Sequence, residues 1–250
     1  MEKKILKNGK TGGLNIIFEY PKIQTLFNRN PKTFKVIEDE IRRPEFLIPS
    51  VWDVTEKIHG TNTRIYYNKY ESTNPYITIH GRTDKAELPK HLIEFLKMKF
   101  TVEQMQTAFT PDKFPIHGCY SFKVCLYGES FGYKINSGNL YTPEDTVAFQ
   151  LFDVFIEDST NPLGGWWLEL DNIADIAKKL DIKCVPYLGP MYTDDIIDMV
   201  KDDDVMQSNV EGSHSGQMSE GVVCRSKPLL FTRDGKRLMW KVKRKDFERI

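Results

Sequence analysis

Residues 51–68 read Val51-Trp-Asp-Val-Thr-Glu-Lys57-Ile-His-Gly60-Thr-Asn-Thr-Arg-Ile-Tyr-Tyr-Asn68, and after a polar interval the chain resumes as Tyr76-Ile-Thr-Ile-His-Gly-Arg82. β-Branched and aromatic side chains crowd three runs, Val51 to Lys57, Thr63 to Asn68 and Tyr76 to Arg82, with Gly60 and the polar turn Tyr70 to Pro75 between them. That composition belongs to successive strands and tight turns. The expectation is an antiparallel meander with Lys57 at a strand end.

Strand patterns return at Tyr120 to Tyr127, Val147 to Phe155, Gly221 to Arg225 and Leu238 to Lys243, and Leu14 to Tyr20 is strand-like. Leu92, Phe95, Leu96 and Lys99 follow helical spacing, as do Ile173, Ile176, Ala177 and Leu180 behind a cap at Asp171. Val36 to Arg43 predicts a short helix that must stop before Pro44, because the residue preceding a proline is driven out of the helical region. Another helix begins near Thr193 or Asp194, and the Ser- and Gly-rich stretch Gln207 to Ser219 reads as a mobile loop beside the site. The fold class is therefore α+β, with mostly antiparallel sheets and flanking helices. At 250 residues and 40% hydrophobic content the chain can bury one full core, so 1–250 reads as a single catalytic domain. Within it, residues 1–50 form the segment least tied to any chemistry.

Lys+Arg and Asp+Glu both number 35, so overall charge gives no general argument for nucleic-acid binding. The distribution is uneven. Asp194 to Asp204 is acidic, whereas Arg225 to the end carries most of a basic cluster interleaved with Leu238, Trp240 and Val242, which suits a phosphate-binding strand. Cys119, Cys125, Cys184 and Cys224 lack metal-ligand spacing, which excludes a zinc motif and supports buried thiols. Neither a secretory h-region nor an apolar run of membrane-spanning length is present. An intracellular, cytoplasmic protein is expected.

Lys57 is the candidate nucleophile. A free lysine titrates near ~10.4, so at pH 7 only about one in 2,500 is neutral, a handicap of roughly 4.6 kcal/mol. Positive neighbours such as Lys241 and Lys243, joined by a divalent metal, would disfavour the ammonium form. Gly60 permits a tight turn and close approach of a nucleotide, and Asn62 offers a short hydrogen-bonding side chain. Glu129 and Glu220 stand where strands meet glycines, as carboxylates for ribose hydroxyls or for Mg2+, or as plain strand-end acids. Phe149 offers a face for a base or belongs to the core. Lys241 and Lys243 share one side of a strand and can converge on a phosphate. Arg82 reads as a phosphate clamp or a structural ion pair.

Five segments in order, Glu56-Lys-Ile-His-Gly-Thr-Asn62, Leu126-Tyr-Gly-Glu129, Phe149-Gln-Leu-Phe-Asp153, Glu220-Gly-Val-Val223 and Trp240-Lys-Val-Lys243, resemble the covalent nucleotidyltransferases. Among these the chain is most similar to ATP-dependent RNA ligases of the nick-sealing RNA ligase 2 group, with His59 where DNA ligases carry Asp. The resemblance runs from Glu56 to Lys243 and implies an ATP-grasp-like ligase catalytic domain. It also implies ATP and Mg2+, or Mn2+ in its place, and an RNA partner with 5′-phosphate and 3′-hydroxyl ends, as in the repair of nicks or breaks. By the same resemblance Lys57 receives AMP, Glu56, His59, Gly60 and Asn62 lie in the adenosine pocket, and Arg82 contacts the nucleotide or the 5′-phosphate. Glu129 takes the ribose, Phe149 stacks on adenine, Glu220 serves the metal, and Lys241 and Lys243 hold the α-phosphate. The chain ends just past Lys243, so no C-terminal accessory domain is expected, and a virus-encoded enzyme fits the group. A DNA ligase, a GTP-dependent capping enzyme and a non-catalytic nucleic-acid-binding module are the alternatives.

Overall fold

The structure, a computed structural model, describes residues 19–69, 74–110, 122–136, 139–158 and 164–247. Two sheets dominate. The first has five strands in the order β1 (Gln24–Thr25), β13 (Met239–Lys243), β12 (Gly221–Arg225), β4 (Val51–Lys57) and β11 (Tyr187–Tyr192). The second runs β10 (Lys183–Cys184), β8 (Val147–Glu157), β7 (Phe122–Gly132), β5 (Thr61–Lys69) and β6 (Tyr76–His80), with β9 (Gly165–Trp167) also paired to β8. Among the described residues only β1 with β13 and β10 with β8 run parallel; the other pairings are antiparallel, as the α+β reading expected.

The meander is corrected in one respect that matters for chemistry. β5 pairs with β6, but β4 does not continue onto β5. It pairs with β12 and β11 in the other sheet, so the chain crosses between sheets at Ile58 to Gly60. A run of strands separated by tight turns has the same composition whether or not neighbours pair, and only long-range partners decide it. Lys57 therefore sits at the junction of the two sheets.

The expected helix at Val36 to Arg43 is instead β3 (Val36–Ile41), which forms a hairpin with β2 (Phe27–Arg29). Val36, Ile37 and Ile41 are β-branched, and cross-strand partners satisfy their backbone where a lone helical turn would not. The helices are α1 (Lys90–Lys99), α2 (Val102–Ala108), α3 (Leu170–Lys179) and α4 (Thr193–Lys201). α2 is additional to the sequence reading; a capping box formed by Thr101 and Gln104 starts it. Glu169, not Asp171, occupies the N-cap of α3, and Asp171 lies in its first turn. Of the strand expected at Leu14 to Tyr20, residues 14–18 lie outside the described residues, as do Cys119, part of the turn at Tyr70 to Pro75 and the start of the strand at Tyr120.

Helices α1, α2 and α3 cover one side of the second sheet, burying Ile65, Leu92, Leu96, Phe149, Leu151, Val154 and Ile176. α4 covers the first sheet over Trp52, Val54, Val222, Trp240 and Val242. Strand alternation then turns Thr55, Lys57, Val223, Lys241 and Lys243 to the opposite side, toward the second sheet. That uncovered side is where the site lies.

Candidate active site

Register assembles the site. Gly221 lies between Lys57 and Lys243, and Val223 between Thr55 and Lys241, so three lysines from two strands come onto one face. At Gly221, with φ of 151°, a Cβ would stand 2.2 Å from the Val242 carbonyl oxygen, so the strands tolerate no side chain there. Glu220, one residue earlier, is tied by its N–H to the Lys57 carbonyl at 2.9 Å. Its carboxylate receives both ammonium groups: Lys57 Nζ on Oε2 and Lys243 Nζ on Oε1. Burial raises the Glu220 carboxyl, but the two lysines outweigh it and hold it below the ordinary range. Lys241 has no such partner. Desolvation, together with Lys57 and Lys243, lowers it from 10.5 to about 8.

The second sheet supplies the opposing wall. Asn62, Glu129 and Gln150 are cross-strand neighbours, and Glu129 Oε1 accepts the Gly60 N–H at 3.1 Å. Gly60 is pressed so closely that a Cβ would lie 2.3 Å from the Ser130 carbonyl oxygen. Desolvation pushes Glu129 from 4.5 up to about 7, with Lys57 opposing and Glu220 reinforcing the rise. Asn62 Oδ1 is buried without a hydrogen-bond partner, an acceptor left for a hydroxyl or amino group to fill. Arg64 is fully buried and donates to the Gly81 carbonyl at 2.7 Å and to Asp84 at 2.8 Å. It braces the turn that presents Arg82.

Together these groups line one cleft of about 390 Å3. Ten of the eleven residues singled out from sequence border it: Glu56, Lys57, His59, Gly60, Asn62, Arg82, Glu129, Glu220, Lys241 and Lys243. Glu56 is the least free, because its carboxylate accepts from Ser208 Oγ at 2.6 Å and from the Asn209 N–H at 2.7 Å. The stretch Gln207 to Ser219, expected to be a mobile loop, is a tied hairpin: Gln207 bridges Met218, Ser208 N–H reaches the Gln217 carbonyl, and Tyr141 Oη donates to the Met218 carbonyl.

Phe149 is the exception. It is 6% exposed, packs edge-on against Phe100 at 5.2 Å and lies over Gly128, on the helix-covered side of the sheet. Phe152 lines the cleft in its stead. Strand alternation puts Phe152 on the face opposite Phe149 and Leu151, and it stands at a bulge: Gly128 pairs with Leu151 and Tyr127 with Asp153, leaving Phe152 unpaired. Both aromatics stand in the same segment, and composition cannot choose between them. Tyr20, Ile23, Val185, Val223 and Arg225 also border the cleft, and the sequence reading assigned none of them an individual role in the site.

Among the described residues no group of three or more His, Cys, Asp or Glu could by itself hold a metal. A Mg2+ needs only one or two protein carboxylates when substrate phosphates and water complete its shell, and Glu220 with Glu129 supplies that donor set. No helix among the described residues is long and apolar enough to cross a membrane.

A sequence model of the RNA ligase family matches residues 50–243. No curated protein matches the chain. Solved structures of Naegleria gruberi RNA ligase variants are similar. One with ATP and Mn has 20% identity and a TM-score of 0.51, covering 91% of this chain and 64% of its own. An apo form has 20% identity and a TM-score of 0.51, covering 80% and 51%. A third, with AMP and Mn, has 20% identity and a TM-score of 0.50, covering 80% and 52%. The chain thus spans about half the length of most of the ligase chains it matches, and it shares their nucleotidyltransferase fold.

Proposed function

Since this chain belongs to the RNA ligase family, we propose that it is an ATP-dependent RNA ligase that joins 3′-hydroxyl and 5′-phosphate RNA ends through AMP carried on Lys57. The observation that supports this most is the meeting in one cleft of Lys57 from β4, Lys241 and Lys243 from β13 and Glu220 from the residue before β12, with Glu129 and Asn62 beside them. In the first step Lys57 Nζ gives up a proton and attacks the α-phosphorus of ATP, forming a P–N bond as the bond to pyrophosphate breaks. Lys241 and Lys243 stabilise charge on the α-phosphate oxygens. In the second, an oxygen of the RNA 5′-phosphate displaces Lys57 and takes the AMP. In the third, a 3′-hydroxyl attacks that phosphate, closes the phosphodiester and expels AMP.

Glu129 accepts ribose hydroxyls, and the planar base lies between Phe152 and Val223. A divalent ion held by Glu220 and Glu129 would neutralise phosphate charge there. Repair of nicked or broken RNA is the role this chemistry serves. The test is incubation with a divalent metal and α-labelled ATP beside a Lys57→Ala control. Label that survives denaturation and disappears in the variant is expected. Absence of label on folded protein free of pre-bound AMP would overturn the reading.

A further inference from the structure

Phe152 stands at the bulge in β8, where the alternation shifts by one: Phe149 and Leu151 face the helices before it and Val154 and Ile156 after it, while Phe152 borders the cleft. Something must hold that irregularity. Arg225, at the far end of β12 in the other sheet, donates from Nη2 to the Phe152 carbonyl oxygen at 2.5 Å. Its Nη1 stands 3.5 Å from Asp153 Oδ1. The same carboxylate accepts from Tyr20 Oη at 2.7 Å and lies 2.7 Å from Arg237 Nη1. Arg237 in turn donates to Tyr20 Oη at 3.1 Å and covers the Trp167 ring at 3.7 Å. The Tyr20 ring meets Phe152 edge-on at 5.0 Å.

This is an expensive brace. Asp153 is fully buried and Arg225 only 3% exposed, so one carboxylate answers two desolvated guanidinium groups, and Arg225 Nε has no hydrogen-bond partner. Apolar packing would join two sheets at lower cost. What apolar packing would not supply is a directional hold on one backbone carbonyl. Arg225 and Val223 alternate on the same face of β12, so the strand that presents Val223 to the cleft also fixes Phe152 opposite it.

We infer that Arg225, anchored by Asp153, is a positioning residue that sets the gap between Phe152 and Val223 into which the nucleobase slides. This rests on the ATP reading of the cleft. The test is a double-mutant cycle on the affinity for α,β-methylene-ATP, which cannot transfer AMP, with Arg225→Ala, Phe152→Ala and the pair. If Arg225 acts through Phe152, each single change weakens binding about 10-fold and the pair stays within about twofold of Phe152→Ala alone, since residues working as one unit are not additive. A merely structural Arg225 would lower the melting temperature without this coupling. Independent, multiplicative losses, or unchanged affinity in Arg225→Ala, would overturn the inference while leaving the ligase reading intact. Wild-type protein that binds no analogue would overturn both. Should Arg225→Ala not fold, Arg225→Lys replaces it in the same cycle: an ammonium cannot span both the carbonyl and Asp153, so the same coupling is expected, and its absence counts against the inference.

Discussion

Glu129→Gln separates what the fold tolerates from what the site requires. The carboxyl is lifted from 4.5 to about 7 by desolvation, and each pKa unit corresponds to about 1.36 kcal/mol. Ionising Glu129 in the folded protein therefore costs about 3 kcal/mol, and its partial contact with water in the cleft trims the expected figure to about 2 kcal/mol. Below about pH 4.5 folded and unfolded chains both hold the proton and nothing is lost. Between about 4.5 and 7 the unfolded chain releases it while the folded one keeps it, so stability falls as pH rises, and above about 7 the whole penalty is present. Glutamine keeps an oxygen for the Gly60 N–H and never ionises. In urea or thermal melts the variant should match wild type at pH 4.5 and exceed it at pH 8, by about 4–8 °C in melting temperature for a chain of this size. It should also bind ATP more weakly, having one acceptor oxygen for ribose instead of two. Equal melting at pH 8, or a variant less stable there, would refute the burial argument.

Four further changes test the site. Phe149→Ala should cost about 3–5 kcal/mol of stability as a core truncation, whereas Phe152→Ala should weaken ATP binding about 10-fold with a far smaller loss in melts; reversal of the two patterns would restore Phe149 to the base site. Lys241, lowered to about 8, is partly neutral at pH 9, and a bound phosphate favours its ammonium form. ATP binding at pH 9 should then take up a proton, seen by calorimetry in buffers of different ionisation enthalpy, and Lys241→Met should abolish the uptake. Gly60→Ala drives a Cβ to 2.3 Å from the Ser130 carbonyl and should lower both the melting temperature and adduct formation; an unchanged melt would show that the turn relaxes freely.

How the sequence relates to this outcome differs from element to element. Helices α1 and α3 were legible because the 3.6-residue period of Leu92, Leu96, Ile173 and Ile176 comes from the helix itself, whatever it packs on. β12 and β13 were legible because alternation has period two, and it placed Lys241 and Lys243 on one side without any knowledge of partners. β3 was misread because six residues with a central run of three acids fit either period, and pairing with β2 decided the matter.

The nucleophile, its glycine turn and the carboxylates were local words in the chain: side-chain type and one or two neighbours suffice to give them chemistry. Which sheet β4 joins, where the β8 bulge falls and which face of β8 the helices cover depend on pairing and packing between elements distant in sequence, such as Lys57 opposite Gly221 and Tyr127 opposite Asp153. No local preference distinguishes those pairings. The inventory of reactive groups was determined by the sequence alone, and their common face, spacing and altered protonation arose only when tertiary structure brought them together and removed their water.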